Sequence, residues 1–129
     1  MIDSIDHIVL TTKDVKACLY FYCNILGMEY KINIIDNQKR ISLKFGNQKI
    51  NLHTESKPYL PHAKNPISGA VDVCFLSSIE LVKWINIFNK NNISIEIGPV
   101  KREGAKGPIV SIYVRDPDSN LIEIANKIK

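Results

Sequence analysis

The sequence predicts an α+β fold made of two βαβββ modules that form an open, barrel-like curled sheet. Two observations predict this class. Residues 5–53 and 69–126 each show the same series of a strand, a helix and three short strands. Within both series the strands alternate apolar and polar residues, as expected for antiparallel sheets with one buried face. One module leaves a sheet face bare, so two modules are expected to bury these faces together.

The first half of the chain is predicted to contain four strands and one helix. Its predicted elements are strands at 5–11, 28–35, 38–45 and 49–53, with one helix between the first two. Side-chain oxygens at Thr12 and Asp14 cap the start of the helix. Gly27 supplies the left-handed residue that ends it. The turn at Asp36-Asn37 joins the next two strands into a hairpin.

The second half follows the same plan. Its predicted strands are 69–76, 93–97, 109–114 and 121–126, and its helix lies after the first of them. Ser77 and Glu80 have the spacing of a capping box for that helix, and Asn91-Asn92 ends it. Residues 101–107 are predicted to be a basic, glycine-containing loop. Pro58, Pro61 and Pro66 mark a linker, so one domain, 1–129, is expected to contain modules 1–57 and 67–129 around linker 58–66.

Composition excludes several classes of protein. The chain has 129 residues, 45% apolar and 23% charged, with a net charge of +4. No basic run with interleaved aromatics is present, which argues against nucleic-acid binding. No stretch reaches the roughly 20 apolar residues of a membrane span, and no signal peptide opens the chain. Three cysteines (Cys18, Cys23 and Cys74) without CxxC spacing indicate reduced thiols, so a cytoplasmic protein is expected.

The repeat identifies four equivalent polar positions in otherwise apolar strands. His7 aligns with Asp72, and Asn51 aligns with Glu123. A buried carboxylate is costly unless it is paired or bound to a cation. If the modules form a pseudo-two-fold pair, these side chains converge and suggest a metal site. Each position also has a structural alternative, namely a solvent-facing or hydrogen-bonded strand residue.

Two further groups are candidate functional residues. His53 shares a strand face with Asn51 and is the better ligand by chemistry, although Asn51 holds the repeat-equivalent place. The predicted basic loop suggests a clamp for an anionic substrate, and a solvated loop is the alternative. The clamp residues would be Lys101, Arg102 and Lys106.

Three motifs resemble the vicinal oxygen chelate superfamily, which includes glyoxalase I, fosfomycin-resistance enzymes, extradiol dioxygenases and bleomycin-binding proteins. The motifs are Ile5-Asp6-His7-Ile8-Val9-Leu10, Phe21-Tyr22 with Ile25-Leu26-Gly27-Met28, and the segment from Val114 to Ile124. The likeness spans nearly the whole chain. Within the superfamily the chain looks most like glyoxalase domain-containing protein 5 and virulence-type lactoylglutathione lyase homologues.

The resemblance implies a glyoxalase-like fold, a divalent cation (Zn, Ni, Mn or Fe) and commonly a homodimer. His7 and Glu123 match the family's ligands in type. Asp72 stands where histidine is usual, and Asn51 stands where glyoxalase I has glutamate. We therefore predict that His7, His53 and Glu123 bind the metal, and that Glu123 and Asp72 carry the catalytic proton.

The function predicted from these residues is a metal-dependent lyase or isomerase of the glyoxalase type. Its substrate would be a small carbonyl compound or a hemithioacetal, converted by proton transfer at carbon. Two alternatives stay open: a non-catalytic binder of small molecules such as drugs, and an Fe(II) dioxygenase. Neither a nucleic acid nor a membrane is an expected partner.

Overall fold

The computed structural model describes all residues, Met1–Lys129, and the chain divides after Ala70 into two compact units. Unit 1 is Met1–Ala70 and unit 2 is Val71–Lys129. Each unit contains a strand, a helical segment and three further strands. The predicted α+β class and the repeated βαβββ order are confirmed. No helix has the length and apolar character needed to cross a membrane.

Unit 1 contains one open, four-stranded sheet in the order β1-β4-β3-β2. Its strands are β1 (His7–Thr12), β2 (Glu29–Ile35), β3 (Gln38–Phe45) and β4 (Gln48–Thr54), and α1 runs over Val15–Leu19 and continues as a π-helical segment at Tyr20–Ile25. β1 pairs with β4 in parallel, and the other two pairs are antiparallel. The buried apolar side chains of the unit include Leu10, Tyr22, Leu43, Ile50 and Leu52.

The two predicted ends of the first helix are confirmed. Oδ1 of Asp14 accepts a hydrogen bond from the Ala17 N–H at 3.0 Å, which satisfies a donor that the first turn leaves open. Gly27 has φ +82°, a conformation that glycine adopts without steric cost. The helix is therefore held at both ends by the residues that the sequence indicates.

Unit 2 contains the equivalent open sheet in the order β5-β8-β7-β6. Its elements are β5 (Asp72–Leu76), α2 (Leu81–Lys90), β6 (Ile97–Gly104), β7 (Gly107–Arg115) and β8 (Leu121–Lys127). β5 pairs with β8 in parallel, and the remaining pairs are antiparallel. Trp84 and Phe88 from α2 are buried, as are Ile112, Ile122 and Ile124 from the sheet.

Three predictions for unit 2 are wrong in detail. The strand predicted at 93–97 is instead β6 at Ile97–Gly104, which pairs with β7 from Ile97 onward. The segment predicted as a loop from Lys101 belongs to β6, because its residues pair with β7 as far as Gly104 opposite Gly107. Ser77 does not cap α2. Instead, its Oγ accepts hydrogen bonds from Trp84 Nε1 and the Ile79 N–H, and the first N–H of the helix is donated to Oδ1 of Asn126.

Candidate functional site

Glu123 lies at the centre of one face of the unit 2 sheet. The register places it between Cys74 on β5 and Tyr113 on β7, both directly paired with it. Strand alternation sends Ile122 and Ile124 to the opposite face, where both are buried. A carboxylate thus occupies the middle of the polar face, as its strand pattern predicts.

A short hydrogen bond orients the Glu123 carboxylate. Oγ of Ser111 donates to Oε2 of Glu123 at 2.5 Å, and Ser111 is fully buried. Hydrogen bonds to ionised acceptors are shorter and stronger than bonds between neutral groups. Ser111 therefore holds one carboxylate oxygen in place.

The Cys74 thiol beside Glu123 stays protonated. Cys74 is exposed, but desolvation, the negative charge of Glu123, a hydrogen bond to it and the charge of Asp72 together raise the pKa of its thiol to about 12. The thiolate is the nucleophilic and metal-binding form of cysteine. Cys74 therefore contributes a neutral group beside Glu123 at neutral pH rather than a nucleophile.

A cavity of about 550 Å³ opens over this face, entirely within unit 2. Its polar lining includes Glu123, Tyr113, Arg102, Lys106 and Lys127, and its apolar lining includes Leu76, Ile109 and Ile128. Of the predicted clamp residues, Arg102 and Lys106 line the cavity. Lys101 does not line it.

Arg102 is tied to the cavity wall by Tyr113. Its Nε donates to the Tyr113 hydroxyl at 3.0 Å, and its guanidinium carbon lies 5.5 Å from the centre of the tyrosine ring. Tyr113 also pairs with Glu123 across the strands, so Arg102 is held on the same sheet face as the carboxylate.

Asp72 lies on the same face as Glu123, one diagonal step away. Its partner on β8 is Leu121, two residues before Glu123, which corresponds to a separation of about 7–8 Å. The side chain of Asp72 is exposed. Asp72 is therefore a second carboxylate of the same sheet face and does not itself line the cavity.

His7 and Asn51 have the same diagonal relation in unit 1. His7 pairs with Lys49, and Asn51 lies two residues further along β4. The equivalent register in both sheets matches the alignment of the repeat. His7 is exposed, and its Nδ1 lies 2.8 Å from Oδ2 of Asp6, a hydrogen bond that lowers the pKa of that aspartate.

His53 is buried at the far end of the same strand. It pairs with Thr11 and lies four residues beyond the partner of His7, which is about 13 Å along the strand. Its Nδ1 has no hydrogen-bond partner, and its ring centre is 3.9 Å from that of Tyr59. Burial, with the charges of His62 and Arg40, lowers the pKa of His53, so the ring is neutral at neutral pH.

Neither unit by itself fits a three-ligand metal site. No group of three or more His, Cys, Asp or Glu side chains is placed to hold a cation. In unit 1 the register separates His7 from His53. The predicted ligands His7, His53 and Glu123 are divided between the two units and stay a prediction.

Sequence reasoning did not select Ser111 and Tyr113 as functional residues. Both lie on β7 at alternate positions, on the same face as Glu123. The alternation of residues 109–114 was a usable signal, but only the register between β7 and β8 shows which of them face the carboxylate. Tyr59 carried no signal, because it lies in an irregular, proline-rich segment.

Comparisons with known proteins identify the family of the chain. The model of the Glyoxalase/Bleomycin resistance protein/Dioxygenase superfamily matches residues 4–124. Virulence protein STM3117 of Salmonella typhimurium is 43% identical over 128 residues, covering 99% of this chain and 87% of the relative. Glyoxalase domain-containing protein RDO1 of Mycosarcoma maydis is 43% identical over 123 residues, covering 95% and 68% respectively.

Solved structures show the same fold at similar identity. The crystal structure of STM3117 superposes with a TM-score of 0.90 at 42% identity, covering 99% of both chains. A protein from the mobile metagenome of V. Pseudocholerae has a TM-score of 0.91 at 40% identity, covering 100% of this chain and 98% of its own. The chain therefore belongs to the Glyoxalase/Bleomycin resistance protein/Dioxygenase superfamily, and the predicted resemblance is confirmed at that level.

Proposed function

We propose that this chain is an enzyme, a glyoxalase-type lyase or isomerase that acts on a small carbonyl compound or hemithioacetal in the unit 2 cavity. One observation carries the proposal. Glu123 is oriented by Ser111 on the floor of a cavity whose wall presents Arg102 and Lys106. The arrangement combines a positioned base with cations that bind the anionic part of a substrate.

The chemistry of this class needs one group that moves a proton between neighbouring carbons. Glu123 takes the proton from the carbon that bears the hydroxyl group and returns it to the adjacent carbonyl carbon. The hydroxyl proton passes to the former carbonyl oxygen, so the first carbon becomes the carbonyl and the second bears the hydroxyl group. Ser111 keeps the carboxylate aimed at the cavity, and the protonated Cys74 beside it does not compete for the proton. Asp72, on the same face, is the second carboxylate predicted to take part.

The predicted divalent cation is a separate part of the proposal. Since neither unit alone gathers three suitable ligands, no step of the proton transfer is assigned to it. A homodimer is likewise expected from the family resemblance, and light scattering of the purified protein measures it.

Turnover of the hemithioacetal of methylglyoxal and glutathione tests the proposal. We expect thioester formation with at least one of Zn, Ni, Mn or Fe(II) added. Glu123→Gln is expected to lower kcat about 100-fold or more, which is the contribution of a positioned base. Glu103→Gln is the matched control, because Glu103 lines the same cavity without contacting Ser111. Equal turnover by the wild type and Glu123→Gln would exclude the assigned role.

A second candidate function is a non-catalytic binder of small molecules. It is favoured by the apolar walls of the cavity, formed by Leu76, Ile109 and Ile128. Binding of a hydrophobic dye by metal-stripped protein, reduced by Ile109→Asp, would support this function if no turnover occurs. Binding that requires an added cation would instead favour the enzyme.

A further inference from the structure

Arg102 is a cation of the unit 2 cavity that has no anionic partner in the chain. Its Nε donates to the Tyr113 hydroxyl at 3.0 Å, and its Nη1 donates to the Lys101 carbonyl at 3.2 Å. Both acceptors are neutral. The cavity lining also contains Glu103 and Glu123, and neither forms an ion pair with the guanidinium. Arg102 therefore keeps its positive charge and its Nη2 donors for a ligand.

Arg115, on the same sheet, shows the opposite arrangement. Its Nε and Nη2 donate to the two carboxylate oxygens of Glu96 at 3.1 Å and 3.0 Å, and its Nη1 donates to the Ser119 carbonyl at 3.1 Å. That guanidinium is paired with a carboxylate within the chain. The guanidinium of Arg102 is instead fixed by a phenol and a carbonyl, which set its position without neutralising its charge.

Tyr113 positions this cation and keeps a hydrogen-bond donor of its own. The guanidinium carbon of Arg102 lies 5.5 Å from the centre of the Tyr113 ring, so the ring face also attracts the cation. Since the Tyr113 hydroxyl accepts the bond from Nε, its proton is available to an acceptor in the cavity that Tyr113 lines. A carboxylate can accept one bond from this hydroxyl and one from Nη2 of Arg102.

The neighbouring residues suit a monoanion with a hydrocarbon body. The register pairs Arg102 with Ile109 and Ile109 with Lys127, so these three side chains form one row along the cavity lining. Leu76 provides further apolar surface. The lining contains three cations, Arg102, Lys106 and Lys127, and two carboxylates, so one positive charge is in excess. This balance favours a ligand with a single negative charge over a dianion.

The row of Arg102, Ile109 and Lys127 is separate from the row that contains Glu123. Lys127 follows Glu123 by four residues on β8, which is about 13 Å along the strand. The Arg102 side chain reaches back from this row to Tyr113, the strand partner of Glu123, without pairing with Glu123 itself. The cation and the carboxylate base are therefore both free to contact one ligand at different atoms.

We propose that Tyr113 positions Arg102 to bind a carboxylate of the substrate, so that the site selects carbonyl compounds or hemithioacetals with a carboxylate on a hydrocarbon segment. This inference rests on the function proposed for the Glu123 cavity and names its substrate class. Tyr113 is a positioning residue whose hydroxyl also completes the carboxylate site. The hydrocarbon segment lies on Leu76 and Ile109, and it joins the carboxylate to the carbon that reacts at Glu123.

Binding of 4-phenylbutyrate and of its neutral analogue 4-phenylbutyramide tests the carboxylate site without turnover. Amide chemical shifts of the isotope-labelled protein measure both affinities. We expect the wild type to bind the carboxylate roughly tenfold or more tightly than the amide, because hydrogen bonds to a charged group are involved. Tyr113→Phe should lose most of this preference and bind the amide like the wild type. Tyr30→Phe removes an exposed phenol hydroxyl from unit 1 and should bind both compounds like the wild type.

Equal binding of the two compounds by the wild type, or an unchanged preference in Tyr113→Phe, would overturn the inference. Arg102→Lys keeps the charge but has no Nε–H for Tyr113 to hold. It should also lose most of the preference, and it provides the same test if Tyr113→Phe does not give a dispersed spectrum. Tighter binding of 4-phenylbutylphosphonate, a dianion, than of 4-phenylbutyrate would overturn the carboxylate assignment.

Turnover separates this inference from the function on which it rests. The hemithioacetals of methylglyoxal with 3-mercaptopropionate and with 3-mercaptopropionamide differ only in a carboxylate against a neutral amide. We expect a lower KM for the carboxylate adduct, and loss of this difference in Tyr113→Phe with kcat changed less. Absence of turnover with an intact binding preference would contradict the proposed function and support the carboxylate site. Turnover of both adducts with equal KM would overturn the inference and leave the proposed function in place.

Discussion

Ser111 Oγ donates a 2.5 Å hydrogen bond to Oε2 of Glu123, although the two residues are not paired across their strands. Ser111 pairs with Ala125, and Glu123 pairs with Tyr113, so the bond crosses the ladder diagonally. A buried hydroxyl thus holds the carboxylate that lies at the centre of the unit 2 face.

Ser111→Ala is expected to weaken catalysis without abolishing it. A hydrogen bond to a charged group contributes about 1.5–3 kcal/mol, so kcat should fall roughly tenfold to hundredfold. KM should change less than kcat, because the bond positions the carboxylate and not the substrate. Ser42→Ala removes a similarly buried hydroxyl from unit 1 and serves as the control. A structural role alone would lower stability and leave kcat no lower than in Ser42→Ala.

Arg102→Gln and Lys106→Gln are expected to raise KM for an anionic substrate and to change kcat less. Both side chains line the cavity, and Arg102 is held by Tyr113 at 3.0 Å. Loss of a cation that binds ground state and transition state equally increases KM alone. Lys101→Gln is the matched control, since Lys101 is the neighbouring cation that does not line the cavity. Initial rates over a range of substrate concentrations give both parameters, and equal effects of all three variants would contradict the clamp.

Metal content tests the predicted ligands. His7→Ala and Glu123→Ala are each expected to lower the affinity for the cation by roughly tenfold or more. Loss of a residue that only supports a metal ligand already lowers this affinity roughly tenfold. The cation affinity of His53→Ala shows whether this buried imidazole is also one of the metal ligands. His62→Ala is the control, because His62 is exposed and its Nδ1 lies 2.8 Å from the Ala63 carbonyl. Elemental analysis that finds unchanged cation content in Glu123→Ala would remove that residue from the ligands.

Cys74 is expected to resist alkylation in mildly alkaline solution. A pKa of about 12 leaves roughly one thiol in a thousand ionised at pH 9, and only the thiolate reacts. The native state holds this proton more tightly than the unfolded state. Stability should therefore be unaffected below the ordinary cysteine pKa and fall as pH rises from there towards 12.

Peptide mapping after iodoacetamide treatment measures the reaction at Cys74. The control is the urea-unfolded chain, in which Cys74 should react at the rate of an ordinary thiol. Glu123→Gln should accelerate the native reaction, because one of the negative charges beside the thiol is removed. Rapid labelling of native wild-type protein at pH 9 would show that the thiol is not shielded.

Asn120→Ala is expected to destabilise unit 2. Asn120 is fully buried, its Nδ2 donates to Oδ2 of Asp116 at 2.8 Å, and its Oδ1 accepts from the Val71 N–H at 2.9 Å. Loss of both bonds should reduce the free energy of unfolding by roughly 2–4 kcal/mol. Urea denaturation measures the change, and Asn89→Ala, at an exposed position of α2, should alter it by less than about 0.5 kcal/mol.

Much of the fold was predictable because it depends on local pattern. Asp14 and Gly27 mark the two ends of the first helix, and the structure confirms both. The capping box at Ser77 failed for a long-range reason, since Asn126, 45 residues from Leu81, accepts the first N–H of α2 instead. The basic segment at residues 101–104 was misassigned because its strand character comes from pairing with β7.

The candidate site was predictable only in part. Glu123 stands out because a charged residue interrupts an apolar strand, and it does lie on the polar face. Ser111, Tyr113 and Cys74 acquire their roles by lying next to Glu123, which depends on the register of three strands. The contact between Tyr59 and His53 could not be predicted from the sequence either, because an irregular segment brings the Tyr59 ring to β4.

By itself, the sequence determined the duplicated βαβββ order, the faces of the strands and the family. These features depend on periodicity and motifs, which involve residues close together in the sequence. The tertiary structure decided which side chains meet: the serine on Glu123, the arginine on the cavity wall, and the tyrosine over Arg40 and His53. The physical reason is that strand register and loop placement are set by packing between distant segments. Residue type along the chain does not specify those distances.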